Sequence, residues 1–273
     1  MTAERRTVHL HLVSDSTGET VLNVAHACMV QFDGIQAVEH LWNMVRSKRQ
    51  LDPVVKAIDE HRGLVMFTLV DSGVRASLEE ACRRLQVPCI AVLDPVIGAL
   101  AGSLGVESKG RPGIQHALDA EYFSRIDAMH FVLGHDDGQA LGNLENADVV
   151  LVGVSRTSKT PTCIYLANRG VKAANVPIVP GLALAPELVN AKRPMIVGLT
   201  FDPVRLVQIR RNRLRQLHED QATDYTDPEK VREEVAWGRR IFAENDWPVI
   251  DVTRRSIEET AAAVMQLVTH RGE

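Results

Sequence analysis

Between Asp148 and Arg169 the chain reads DVVLVGVSRTSKTPTCIYLANR. Gly153, Val154, Ser155, Arg156, Thr157, Ser158, Lys159 and Thr160 follow the phosphate-loop spacing G-x-x-x-x-G-K-[ST], with Ser158 in place of the second glycine. The chemistry of such a loop is the grip of an anion. Small residues let backbone N–H groups turn inward, and the following helix adds the positive end of its dipole. Lys159 would bring a mobile full charge to a transferring phosphoryl group, and Thr160 a hydroxyl for Mg²⁺. If position 158 has positive φ, a serine there costs roughly 1 kcal/mol in strain. Strand–turn–helix units with a Gly, a Ser and a Lys also occur without any ligand, so the flanking elements decide.

Other residues could carry chemistry. His135-Asp136-Asp137-Gly138 offers two adjacent carboxylates after an apolar run. These could act as a general base or hold Mg²⁺, or form a plain Asp-Gly turn. Ser14-Asp15-Ser16-Thr17-Gly18-Glu19-Thr20 could hold a phosphate at a helix start, or cap that helix through Ser16 with Glu19 or Thr17 with Thr20. Arg205, Arg210, Arg211, Arg213 and Arg215 fall on one expected helix, as a solvated face, a lid over phosphates, or a surface for an acidic partner. His9 and His11 share one strand face, but the sequence shows no third metal ligand. In Asp251–Thr260, Ser256 and Glu259 form a capping box, with Thr253 and Arg254 near the expected nucleotide.

The elements that must position these residues alternate. Strands are expected near Val8–Val13, Gln36–Val45, Leu64–Val70, Cys89–Leu93, His130–Leu133, Val149–Val152, Val176–Val179, Met195–Leu199 and Val249–Val252. Helices are expected at Val21–Gln31, Leu51–His61, Ser77–Leu85, Asp119–Ile126, Thr160–Asn168, Pro203–Leu217, Pro228–Glu244 and Ser256–Val268. This alternation predicts an α/β protein: an N-terminal Rossmann-like or flavodoxin-like parallel sheet layer and a C-terminal P-loop kinase-like parallel sheet domain. Ser103–Gln115 is the best linker candidate. Because a phosphate loop usually follows the first strand of its domain, the expected domains are 1–146 and 147–273.

The 273 residues carry a net charge of −4 and are 45% hydrophobic, enough for a sizeable core and without general attraction to nucleic acid or acidic membranes. No apolar run has the length of a signal peptide or a membrane span, so a cytoplasmic location is expected. Cys28, Cys82, Cys89 and Cys163 form no C-x-x-C pair and read as reduced, mostly buried thiols.

Together the motifs resemble the bifunctional kinase–pyrophosphorylase family that regulates pyruvate, phosphate dikinase and phosphoenolpyruvate synthase. The marks are SDSTGET at 14–20, QHALDAEYFSRIDAMHFVLGHDDG at 115–138, ADVVLVGVSRTSKTPTCIYLANRGVKAANVPIVPG at 147–181, GLTFDPVRLVQIRRNRL at 198–214 and DVTRRSIEETAA at 251–262. Sequences of this family commonly have Ser or Gly where Ser158 stands. The resemblance implies a kinase that takes ADP as donor and phosphorylates a threonine of its target enzyme, inactivating it. It also implies the reverse activity, in which inorganic phosphate attacks the phosphothreonine and pyrophosphate leaves. Residues 153–160 would bind ADP and Thr160 would hold Mg²⁺. Lys159 would neutralise the transferring group, and Asp136 or Asp137 would orient or deprotonate the threonine. The SDSTGET start and the SRTSKT loop look more like the dikinase branch, with the synthase branch as the alternative. A homodimer is left open.

An ATP-dependent P-loop kinase of a small molecule competes with this reading. A nucleotide switch would need a base-recognition signature such as N-K-x-D, which is absent. A pure adaptor would have no use for the loop.

Overall fold

The computed structural model describes residues 6–112, 120–216 and 224–270. The chain forms two compact units, Met1–Ala117 and Leu118–Glu273.

In the first unit the order is β1 (Arg6–Ser14), α1 (Glu19–Met29), β2 (Ile35–Trp42), α2 (Lys48–Glu60), β3 (Leu64–Thr68), α3 (Ser72–Leu85), β4 (Cys89–Ala91) and α4 (Asp94–Leu104). The strands form one parallel sheet in the order β2-β1-β3-β4. Successive side chains of a strand point to opposite faces, and the core divides accordingly. Leu10, Leu12 and Met66 pack with Val21 and Ala25 of α1. Val13, Val65 and Phe67 pack with Val54 and Ile58 of α2 and with Leu78 of α3. Gly63 is required at the entry to β3, since a Cβ there would lie 2.0 Å from the His9 carbonyl oxygen.

The second unit runs α5 (Ala120–Gly134), a 3₁₀ turn Asp136–Gly138, a 3₁₀ segment Leu141–Asn146, β5 (Val149–Gly153), α6 (Lys159–Ala167), β6 (Ala173–Pro177) and α7 (Pro186–Val189). It continues with β7 (Met195–Thr200), α8 (Pro203–Gln216), a 3₁₀ turn Asp224–Thr226, α9 (Pro228–Glu244), β8 (Val249–Asp251) and α10 (Ile257–His270). Its parallel sheet has the order β6-β5-β7-β8. β5 is buried along its whole length, as a central strand covered on both faces must be.

The α/β class with two parallel sheets, one in each half, agrees with the alternation of elements in the sequence. Two details differ. The run His130–Leu133, expected as a strand, lies inside α5. Its buried residues are Ala128, Phe131 and Val132, at helical spacing, and a short apolar run cannot by itself separate helix from strand. The units divide at Ala117 and Leu118 rather than at 146/147. The reason is packing: Ala128, Phe131, Val132 and Leu144 belong to the same core as β5 and α6. Helices α4 and α7 were not anticipated. Of the linker candidate, Ser103 and Leu104 end α4, and residues 113–115 lie outside the described residues, as do Asp119 and Leu217 of two expected helices.

Both sheets thus place their first strand between the second and the third. The connections leaving the first and third strands run to opposite sides, and the crevice between them lies at the carboxyl end of the first strand, where open α/β sheets hold their ligands. In the first unit this end carries Ser14–Glu19, and in the second it carries the loop before Lys159.

Candidate active site

The loop Gly153–Ser158 links β5 to α6. A Cβ on Gly153 would come within 2.7 Å of the Leu199 carbonyl oxygen and 2.8 Å of Thr157 Oγ1, so only glycine lets β5 end against β7 here. Two non-glycine residues of the loop, Arg156 (φ 70°) and Ser158 (φ 59°), adopt positive φ, while Ser155 and Thr157 beside them do not. Ser158 therefore does occupy a positive-φ position, in the conformation a glycine would have taken. Thr157 is fully buried and donates from Oγ1 to the Val154 carbonyl at 2.9 Å, closing the curl from inside. Thr162 Oγ1 donates to the Ser158 carbonyl at 2.7 Å and fixes the first turn of α6.

Lys159 is not a freely mobile charge. It is 6% exposed, and its Nζ donates to the Val154 carbonyl oxygen at 2.9 Å. Burial pulls its pKa down to about 8, while Asp137 and Asp136 resist the shift and Arg210 adds to it. Cys163, one turn along α6, has a thiol pushed far up by burial and stays neutral.

The two carboxylates of the Asp136–Gly138 turn meet this loop. Thr160 Oγ1 donates to Asp136 Oδ1 at 2.9 Å. Asn175 of β6 donates from Nδ2 to Asp136 Oδ1 at 2.6 Å and reaches Asp137 Oδ1 at 3.2 Å and Thr160 Oγ1 at 2.9 Å. The turn is held from behind by the buried His135, whose Nδ1 pairs with the Phe131 carbonyl at 2.8 Å and whose ring stacks on Phe131. The Asn175 backbone N–H donates to the His135 carbonyl at 3.0 Å. A cavity of about 320 Å³ opens above these groups, lined by Ser155, Arg156, Ser158, Lys159 and Thr160 on one side and by Asp137 and Asn175 on the other. Its volume is at the small end of ligand-binding pockets. Asp137 faces this cavity from a left-handed backbone (φ 49°), whereas Asp136 is engaged by Thr160 and Asn175 beneath it.

Of the five arginines on α8, Arg210 is buried and braces the loop instead of covering it. Its Nη2 donates to the Ser155 carbonyl at 3.0 Å, both Nη groups pair with Glu234 of α9, and its guanidinium lies 4.5 Å over the Tyr225 ring. Tyr225 in turn hydrogen-bonds Ser155 Oγ at 3.3 Å. Arg205, Arg211 and Arg215 are exposed and Arg213 is half-buried. Thr253 Oγ1 accepts from the Asp202 N–H at 2.8 Å and donates to Asp251, tying the ends of β7 and β8 together; neither it nor Arg254 lines the cavity. The expected capping box is present, with Ser256 N to Glu259 Oε2 at 2.8 Å and Glu259 N to Ser256 Oγ at 3.1 Å.

The Ser14–Glu19 loop makes its own internal network. Thr68 Oγ1 donates to Ser14 Oγ at 3.0 Å, and the Asp15 carboxylate accepts from the Val70 N–H at 2.8 Å with its pKa raised by burial. α1 starts after Gly18 (φ 85°), whose place at the N-cap leaves no side chain there to cap the helix. His9 and His11 of β1 and His40 of β2 stack ring on ring with one another and with His61, which follows α2, with centroids 4.6–5.6 Å apart. Stacked rings do not converge on a point, and among the described residues no cluster of three or more His, Cys, Asp or Glu is arranged to hold a metal. The four cysteines are free, with Cys28 exposed.

Sequence reasoning missed Asn175, Tyr225 and the Arg210–Glu234 pair. Asn175 was detectable as the one polar residue in the run AANVPIV, because a buried strand keeps a polar side chain only where it has partners.

Residues 10–265 match the model of a family described as kinase/pyrophosphorylase. A protein of Paramagnetospirillum magneticum is 59% identical over 95% of this chain and 83% of its own length. One from Sphingopyxis alaskensis is 56% identical over 97% of this chain and 98% of its own length, and one from Caulobacter vibrioides is 56% identical over 96% and 83%. All three carry the name pyruvate, phosphate dikinase regulatory protein. The matched span runs from within β1 to within α10 and includes the curled loop and the carboxylates of Asp136 and Asp137; the chain belongs to the kinase/pyrophosphorylase family.

Proposed function

We propose that the protein transfers the β-phosphoryl group of ADP to a threonine of pyruvate, phosphate dikinase, inactivating it in the cytoplasm, and reverses this with inorganic phosphate. The observation that carries the reading is that Lys159 and Asp137 line one small cavity, with Thr160 bonded to Asp136 beneath it. An anion grip and an acceptor-activating carboxylate are the two parts a phosphoryl transfer needs, and little else is asked of the protein. The relatives' name supports the dikinase, rather than phosphoenolpyruvate synthase, as the target.

In this reading the loop 153–160 holds the two phosphates of ADP. Asp137, which faces the cavity, takes the proton of the threonine hydroxyl as its oxygen bonds to the β-phosphorus. The bond from that phosphorus to the bridging oxygen breaks, and AMP leaves. In the reverse direction an oxygen of inorganic phosphate bonds to the phosphothreonine phosphorus, the bond to the threonine oxygen breaks, and Asp137 returns the proton. Pyrophosphate is the product. Lys159 offsets charge on the transferring group from its buried position, where the low dielectric strengthens the attraction. Asp136, Asp137 and Thr160 present oxygen atoms close together, a hard donor set suited to Mg²⁺. When bound, that ion would neutralise part of the phosphate charge.

The test is a donor comparison with nucleotides freed of cross-contamination, using the dikinase as acceptor. ADP should give phosphothreonine and AMP, and phosphate with phosphorylated target should give pyrophosphate. ATP working equally well, with ADP as product, would replace this reading with an ordinary kinase.

A further inference from the structure

Asn175 is 1% exposed, and its carboxamide has an uneven set of partners. Three oxygens surround Nδ2: Asp136 Oδ1 at 2.6 Å, Thr160 Oγ1 at 2.9 Å and Asp137 Oδ1 at 3.2 Å. An amide nitrogen has only two hydrogens to give. On the other arm, the buried Oδ1 has no partner among the described residues. A buried polar atom left unpaired is unfavourable and calls for a physical reason.

The reason lies in the charge of the site. Two carboxylates and a hydroxyl brought within 3.2 Å of one point make that point strongly favourable for positive charge. The partly positive NH₂ group occupies it. The reverse orientation of the amide would set Oδ1 against Asp136 and be repelled. That preference inverts once a cation is present, because a cation needs oxygens around it. The rest of the site is fixed around this amide. The Asn175 N–H is bonded to the His135 carbonyl, and Asp137 is held in left-handed backbone at φ 49°.

We propose that Asn175 is the positioning residue of a divalent-cation subsite, its NH₂ group holding Asp136, Asp137 and Thr160 together until a cation enters and the amide turns to offer Oδ1. The inference rests on the phosphoryl-transfer reading of this cavity and deepens it. Two carboxylates, a hydroxyl and an amide oxygen leave other positions of an octahedral ion for water and phosphate oxygens, as Mg²⁺ prefers.

The experiment is a titration of the full-length protein with Mn²⁺, followed by electron paramagnetic resonance, for the native chain, Asn175→Leu and Asn175→Asp. Losses of about 10–100-fold are typical when a group that positions metal ligands is removed. Asn175→Leu should weaken Mn²⁺ binding by that order, and Asn175→Asp should bind at least as tightly as the native chain. In addition, the Asn175 side-chain NH₂ resonances should shift on adding Mg²⁺ without nucleotide. Native Mn²⁺ affinity in the Leu variant overturns the proposal. Should the Leu variant fail to fold, loss of Mn²⁺ binding in the Asp variant, or NH₂ resonances unmoved by Mg²⁺, overturns it equally. The outcome is separable from the donor question. If ATP proves the donor, the functional reading fails while the Mn²⁺ result stands. If the native chain takes up no Mn²⁺, the present proposal fails while ADP dependence is decided on its own.

Discussion

Lys159 should make ligand binding and stability respond to pH in opposite directions. Its pKa of about 8, against 10.5 for an unburied lysine, means the folded chain releases this proton before the unfolded chain does. Between those two values the unfolded state binds more protons, so stability rises with pH across the window and is lowest below 8, where the buried group is charged in the folded state. At about 1.4 kcal/mol per unit the full effect is roughly 3 kcal/mol. Anion binding runs the other way. Only the protonated lysine attracts phosphate, so ADP affinity should fall by up to about tenfold per pH unit above 8. Lys159→Met keeps much of the volume and removes both effects. At pH 7 it should weaken ADP binding by about 10–100-fold, the value of a charge-assisted hydrogen bond. It should also leave the Leu118–Glu273 unit no less stable. The assay is calorimetric unfolding and ADP titration of both proteins from pH 7 to 10.5, read as differences so that other titrating groups cancel. A native-minus-Met stability difference that stays flat across this range would refute the burial argument. An ADP affinity with the same pH dependence in both would refute the contact with phosphate.

Further outcomes follow from the same geometry. Asp137→Asn should lower the transfer rate by about 10²–10⁴ with little change in ADP affinity, whereas Asp136→Asn should chiefly weaken cation binding; steady-state kinetics at varied Mg²⁺ separates the two. Ser158→Gly should stabilise the chain by up to about 1 kcal/mol, since it relieves a left-handed serine, and a denaturant melt that shows a loss would mean the side chain has a role. Arg210→Met should cost about 3–5 kcal/mol by stranding the charge of Glu234. The double variant with Glu234→Leu should regain stability but not ADP affinity, because the Ser155 carbonyl loses its brace either way.

The loop, the class of fold and the carboxylate pair were legible because each has a local signature. β5 announces itself by an apolar, valine-rich run, and the spacing from Gly153 to Thr160 is fixed by the chemistry of the grip. That Asp136 and Asp137 face this loop was not legible: it depends on the β6 register that sets Asn175 beside Thr160, a long-range pairing without local trace. The run at His130–Leu133 was misread because its three apolar residues fit either period, and only Ala128, seen together with Phe131 and Val132, settles the helix. Arg210 looked like its four arginine neighbours; its burial follows from Glu234 and Tyr225, which are distant in sequence. Lys159 was expected to move freely because the motif states which residue is present and says nothing of how deeply it lies.

The division at Ala117 and Leu118 also bears on how the chain acquires its shape during synthesis. All four strands of the first sheet are complete by Ala91, and no pairing in that sheet waits for a later residue. Domains generally fold as units in the order they emerge, so the first sheet can close while the second is still unmade. The second sheet has the harder task. Its central strand β5 must wait for β7 on one side, and β7 must wait for β8 near the chain's end. Crossovers of that length close slowly. Until they do, the fully apolar edge of β5 is open to other chains. A fragment ending near residue 160 and released from the ribosome should therefore carry a protease-resistant first unit and an aggregation-prone tail, and the vulnerable stretch is the same strand that later carries the phosphate loop.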